Sequence, residues 1–136
     1  ASLEANSRML HLFARLLETQ GDIKKLTKEE KNLARDAKNY MDRMYSRDIR
    51  IQDVAGILHV HPNYLSTLFR REYDQSPREY LRKVRMNQAK LLLATTEYSI
   101  SDISSDVGYT NPFQFSKVFK SCYGISPTEY RNMRQV

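Results

Sequence analysis

Residues 62–80 read PNYLSTLFRREYDQSPREY and residues 112–130 read PFQFSKVFKSCYGISPTEY. At this offset of 50, eight of the 19 positions are identical: Pro62/Pro112, Ser66/Ser116, Phe69/Phe119, Tyr73/Tyr123, Ser76/Ser126, Pro77/Pro127, Glu79/Glu129 and Tyr80/Tyr130. Average composition gives about one match by chance. Upstream the register continues at 49, where Ile51, Asp53, Val54 and Leu58 answer to Ile100, Asp102, Ile103 and Val107. The second copy thus carries one extra residue before its proline. A duplicated unit restricts the fold severely, because one supersecondary arrangement must satisfy both copies.

Each copy reads as short helix, tight turn, second helix and a further helix start. In copy two, Ser99 to Asp102 has a capping pattern, and Gly108 ends the short helix where a left-handed residue is needed. Asn111 and Pro112 restart the chain as N-cap and first helical residue. Phe115, Val118, Phe119 and Cys122 follow at helical spacing, Gly124 closes the helix, and Ser126 to Glu129 forms another capping box. Copy one places His59 at the position of Gly108 and Asp74 at that of Gly124. His and Asp are among the few non-glycine residues that tolerate positive φ. Arg50 and His61 replace the caps Ser99 and Asn111, so copy one is expected to have poorer caps and lower stability.

Outside the repeat, Thr27 to Glu30 is a capping box opening a helix through about Tyr45, with Leu33, Ala34, Ala37, Tyr40, Met41 and Met44 on one face. Residues 77–95 form one long helix of about eighteen residues, apolar near its start at Tyr80, Leu81 and Val84 and near its end at Leu91 and Leu92. Asn87 and Gln88 suggest a solvated middle between two small cores. At about 27 Å, such a helix approaches the roughly 34 Å repeat of DNA and could hold two reading helices one turn apart. Residues 3–18 form another amphipathic helix, with Leu3, Met9, Leu10, Leu12, Phe13, Leu16 and Leu17. Three roles fit it: dimerisation, the remnant of a preceding domain, or packing on the main body.

The 136 residues hold only four Gly and four Pro, against an all-β fold. One cysteine, Cys122, excludes an internal disulfide framework. Apolar runs are too short for a membrane span and no signal-peptide pattern opens the chain, so a cytoplasmic location is expected. Residues 1–30 are net neutral, so residues 31–136 carry the whole net charge of +6. A basic body favours a polyanionic partner. No nucleophile elbow, glycine-rich phosphate loop or paired catalytic carboxylates are visible, so no enzyme activity is expected. His59 and His61 bracket a turn with no third ligand spaced to help, so neither metal nor cofactor is expected. Cys122 falls by spacing on an apolar face, which argues against a reactive thiol.

The stretch YSISDISSDVGYTNPFQFSKVFKSCYGISPTEYR, residues 98–131, resembles the C-terminal signature of the AraC/XylS family of bacterial transcription regulators. Residues 49–95 resemble the preceding half, and the resemblance covers about residues 31–134. Arg50, His61, Asp74 and Cys122 depart from the family pattern. The resemblance implies an all-α, seven-helix tandem helix-turn-helix, here preceded by the extra N-terminal helix. The expected domains are 1–26 as N-terminal helix and linker and 27–136 as DNA-binding domain. The latter divides into a first subdomain at 27–75, the linker helix at 76–95 and a second subdomain at 96–136. Most members carry a separate effector-binding and dimerisation domain, often sugar-binding, which this stretch lacks. A start at Ala1 favours a fragment of a larger regulator over a short single-domain member.

On the first reading helix, spacing turns Leu65, Leu68, Phe69 and Tyr73 inward and Asn63, Ser66, Thr67 and Arg70 outward. On the second, Phe113, Gln114, Ser116, Lys117 and Lys120 face outward. The family's base-contacting positions map onto Asn63, Ser66 and Thr67, and onto Phe113, Gln114 and Lys117. Asn and Gln can pair with adenine, Lys can reach guanine acceptors, and Phe or a Thr methyl can touch the thymine methyl. Arg70, Arg71, Ser116 and Lys120 suit phosphates, which position without specifying. Arg82 and Arg85 could instead pair with acidic neighbours. The implied partners are double-stranded DNA, RNA polymerase and, through the missing domain, a small-molecule effector. The rival reading is a helical protein-interaction module without sequence-specific DNA binding, and steep salt dependence would separate the two.

Overall fold

The computed structural model describes residues 25–134, in which seven α-helices follow one another without a strand. They are α1 (Lys28–Met44), α2 (Ile51–Ile57), α3 (Pro62–Tyr73), α4 (Pro77–Thr95), α5 (Ile100–Asp106), α6 (Pro112–Tyr123) and α7 (Pro127–Met133). The helix expected over residues 3–18 lies outside the described residues. Two compact units result. The first joins the chain up to Met41 with Arg50–Tyr80, and the second joins Asp42–Ile49 with Leu81 onward.

Local chemistry sets the helix ends. The Thr27 hydroxyl accepts from the Glu30 N–H at 3.1 Å, and the Glu30 carboxylate accepts from the Thr27 N–H at 2.9 Å, closing the capping box of α1. Ser76, Ser99 and Ser126 each accept from the N–H three residues on, at 3.1, 3.0 and 3.1 Å, to cap α4, α5 and α7. At α2 the Asp53 carboxylate accepts from the Arg50 N–H at 2.8 Å, but Arg50 has no side-chain acceptor to return the bond. His61 departs from the expected poor cap: its Nδ1 accepts from the Asn63 N–H at 3.1 Å, so α3 is capped by imidazole. The four left-handed positions fall where the repeat places them, at His59 (φ 58°), Asp74 (φ 60°), Gly108 (φ 97°) and Gly124 (φ 80°).

In the first unit Ala34, Ala37 and Met41 of α1 are buried with Val54 and Ala55 of α2 and Tyr64, Leu65, Leu68 and Phe69 of α3. Leu26, Leu33 and Val60 pack around Tyr64 and Leu68. The second unit closes over Met86, Ala89, Leu93, Ile103, Val107, Phe115 and Phe119. The duplication extends to ring geometry. Phe69 meets Tyr73 at 4.7 Å and Tyr80 at 5.6 Å, while Phe119 meets Tyr123 at 4.8 Å and Tyr130 at 5.7 Å. A lysine stands over each group: Lys38 is 5.5 Å from the Tyr80 ring and Lys90 is 5.8 Å from the Tyr130 ring.

Two sequence expectations fail in α4 and α6. At the apolar end of α4, Leu92 packs on the second core but Leu91 is exposed, and the buried stripe runs through Met86, Ala89 and Leu93. That stripe keeps three- and four-residue spacing, so one side of the helix middle is buried despite Asn87 and Gln88. Cys122, expected on the apolar face, is exposed. The last turn of α6 instead packs through Tyr123 on Phe119. At the far end of α4, Arg131 reaches the Leu93 and Thr96 carbonyls, both at 3.3 Å, and Arg134 reaches the same two oxygens and Glu97. These guanidiniums serve the orphan carbonyls of a helix that lacks a basic residue in its own last turn.

Candidate nucleic-acid interface

The outward faces of α3 and α6 follow from their inward anchors. With Leu65, Leu68 and Phe69 buried, Asn63, Thr67 and Arg70 share one exposed stripe at spacings of four and three. With Phe115 and Phe119 buried, Phe113, Lys117 and Lys120 form the matching stripe, and Gln114 is exposed beside it. Arg71 is exposed next to Arg70, whereas Ser66 and Ser116 are half-buried at equivalent positions. Each stripe thus gathers its candidate residues on one solvent face of one helix. The stripes are register-equivalent but chemically different: Asn63 answers to Phe113, Thr67 to Lys117 and Arg70 to Lys120.

Phe113 is 85% exposed, the most open large apolar side chain among the described residues. It contributes almost nothing to the core, and it stands in the same exposed stripe as Lys117 and Lys120. The Thr67 hydroxyl donates to the Asn63 carbonyl at 2.9 Å, so its proton is used within the helix. The N-termini of both helices remain electropositive. The other five helices hold an acidic residue in the first turn: Glu29 and Glu30, Asp53, Glu79, Asp102 and Glu129. Neither α3 nor α6 has one, and both carry basic side chains in the last turn. An uncompensated helix N-terminus attracts anions, and an acidic residue there would repel phosphate.

The turn before α6 is held by a residue whose role its sequence position does not reveal. Arg85, on α4, is 9% exposed. Its Nε donates to the Tyr45 carbonyl and its Nη2 to the Arg47 carbonyl, both at 2.9 Å. Its guanidinium lies 5.3 Å from the centre of the Tyr109 ring. Carboxylate pairing, one expectation for Arg85, is therefore replaced by two backbone acceptors and a ring. Burial pushes the guanidinium below its ordinary pKa, opposed by Tyr109 and then Asp48. Burial likewise pushes the Tyr109 phenol up, with Arg85 opposing. The only legible signal was a basic residue beside the buried Met86 of an otherwise apolar stripe. Gly108 completes the arrangement: a Cβ there would overlap the Tyr45 carbonyl oxygen and stand 2.9 and 3.0 Å from Arg85 Nε and Nη2.

A family model described as a helix-turn-helix domain matches residues 54–133. The chain is 38% identical over 110 residues to the raffinose operon transcriptional regulatory protein of Pediococcus pentosaceus, covering 81% of this chain and 39% of that protein. It is 40% identical over 96 residues to the lactose operon transcription activator of Staphylococcus xylosus, covering 71% of this chain and 34% of that protein. Among solved structures, the C-terminal domain of AraT, a response regulator from Geobacillus stearothermophilus, matches with a TM-score of 0.73 at 35% identity. That match covers 81% of this chain and 88% of the other. The chain spans between about a third and two fifths of the length of these curated relatives.

Proposed function

This chain belongs to the AraC/XylS-type helix-turn-helix regulators, and from that premise we propose that it is the sequence-specific DNA-binding part of a bacterial transcription regulator. One molecule presents α3 to one major-groove segment and α6 to the next. Asn63, Ser66 and Thr67 read bases in the first segment, and Phe113, Gln114 and Lys117 read them in the second. Arg70, Arg71, Ser116 and Lys120 hold phosphates. Because the base-facing pairs Asn63/Phe113 and Thr67/Lys117 differ in chemistry, the two half-sites differ in sequence. The observation that carries this reading is the pair of helices, alone among the seven described, with no first-turn acid and a polar, basic or aromatic outer stripe.

One relative is named a transcription activator of a lactose operon, which supports activation as the mode of regulation; contact with RNA polymerase and a cytoplasmic location belong to the same proposal. A sugar or other small effector would bind in a domain outside this stretch, and residues 3–18 would contribute to a dimer. The test begins with selection of bound oligonucleotides from a random pool. Lys117→Ala should then cost about 1–3 kcal/mol on the selected site and relax one base preference. Arg70→Ala should weaken binding to all sequences and reduce the salt slope by about one. If neither change moved affinity at moderate salt, the assignment of these faces to DNA would be wrong.

A further inference from the structure

We propose that Arg85 is a positioning residue for base reading by α6, acting through Tyr109 without touching DNA itself; this rests on the DNA-reading role of α6 proposed above. A chain of contacts leads from α4 to the turn between α5 and α6. Arg85 grips the Tyr45 and Arg47 carbonyls at 2.9 Å each, which fixes its guanidinium as a rigid plate. The Tyr109 ring lies 5.3 Å from that plate, and its centre is 5.8 Å from the Phe115 ring. Phe115 is wholly buried in the first turn of α6, directly after Gln114 and two residues after Phe113. Gly108 admits this packing only because it has no Cβ.

Guanidinium, Tyr109 and Phe115 thus form a continuous line of contacts, with the two rings tilted at 57°, that ends at the residues presented to bases. The turn is also tied locally, with the Tyr109 N–H donating to the Ser104 carbonyl at 2.9 Å and the Asn111 side chain capping α6. A line of contacts that sets the height and rotation of a helix start bears on specificity more than on affinity. Paired hydrogen bonds to base edges require placement to within a fraction of an ångström, whereas phosphate contacts tolerate more slack. The first half is built differently. There His59 is exposed at the turn, and Val60 packs on Tyr64 and Leu68 without a buried cation among the described contacts.

The experiment measures discrimination in each half-site separately. Dissociation constants of the 136-residue chain are determined for the selected site and for single-base variants in each half, at fixed salt. Arg85→Lys keeps the charge but can neither grip two carbonyls nor stack as a plate. It should reduce discrimination three- to tenfold in the α6 half and leave the α3 half unchanged. Tyr109→Leu, which keeps a core-sized apolar side chain, should do the same, and Tyr109→Phe should retain most of the wild-type ratio. A loss of folded protein would lower the active fraction and leave both ratios intact. Unchanged α6 discrimination in Arg85→Lys and Tyr109→Leu would overturn the inference, as would equal losses in both halves. A wild-type chain without base preference would instead overturn the DNA-reading assignment itself.

Discussion

Two glycines that each follow a helix of the second copy should respond very differently to the same methyl group. Gly108 and Gly124 both have positive φ, 97° and 80°. At Gly124 an added Cβ meets nothing within 4 Å, so Gly124→Ala carries only the backbone penalty of a left-handed L-residue, about 1–2 kcal/mol. At Gly108 the same penalty applies, but the methyl also collides with the Tyr45 carbonyl and the Arg85 guanidinium. Tyr45 contributes backbone and Arg85 is buried, so neither yields cheaply. Relief displaces the Arg85 hydrogen bond to Tyr45, and a bond to a charged group contributes about 1.5–3 kcal/mol. Gly108→Ala should therefore destabilise by about 3–5 kcal/mol, a large part of the stability of a small domain. Urea denaturation followed by far-UV circular dichroism suits a chain without tryptophan. A midpoint shift at constant slope isolates the stability change. The double variant Gly108→Ala/Arg85→Ala should lose less than the two single losses together, because both remove the same contact. If Gly108→Ala and Gly124→Ala were equally costly, the crowding at the Arg85 clamp would play no part in stability and the reasoning would fail.

Two further outcomes follow from the same geometry. Asp74 holds φ at 60° where the second copy has glycine, so Asp74→Gly should stabilise the first unit by up to about 1 kcal/mol, read as a raised urea midpoint. Phe113→Ala should change stability by less than about 0.5 kcal/mol, since the side chain is 85% exposed, while weakening binding to the selected site. A stability loss matching the affinity loss would place Phe113 in the fold instead of at the interface.

Much of the architecture was legible because its causes are local. Capping serines and the threonine Thr27, proline at the first helical position and glycine after the last turn mark six helix starts and two ends without reference to the rest of the chain. The 50-residue repeat then identified His59 and Asp74 as left-handed residues, which composition alone would not suggest. The outward stripes of α3 and α6 were equally readable, because helical periodicity fixes which residues oppose a buried phenylalanine. The misreadings came where two patterns compete on one helix. Leu91 looked like core and is exposed, whereas Met86 and Ala89 lie on the buried face. Cys122 fits the spacing of the apolar face, yet the adjacent Tyr123 takes the packing position on Phe119.

Periodicity and helix-stop chemistry by themselves determined a duplicated all-helical chain with two outward helix stripes, since each depends on residues within a few positions of one another. Tertiary structure alone decided what Arg85 does. Its acceptors are the backbone oxygens of Tyr45 and Arg47, 40 and 38 residues away in the chain. Backbone carbonyls have no side-chain identity, so no residue pattern announces that they will converge on a guanidinium. The same convergence explains why Gly108 must lack a Cβ for reasons beyond its backbone angle, and why the segment Asp42–Ile49 belongs with the second unit.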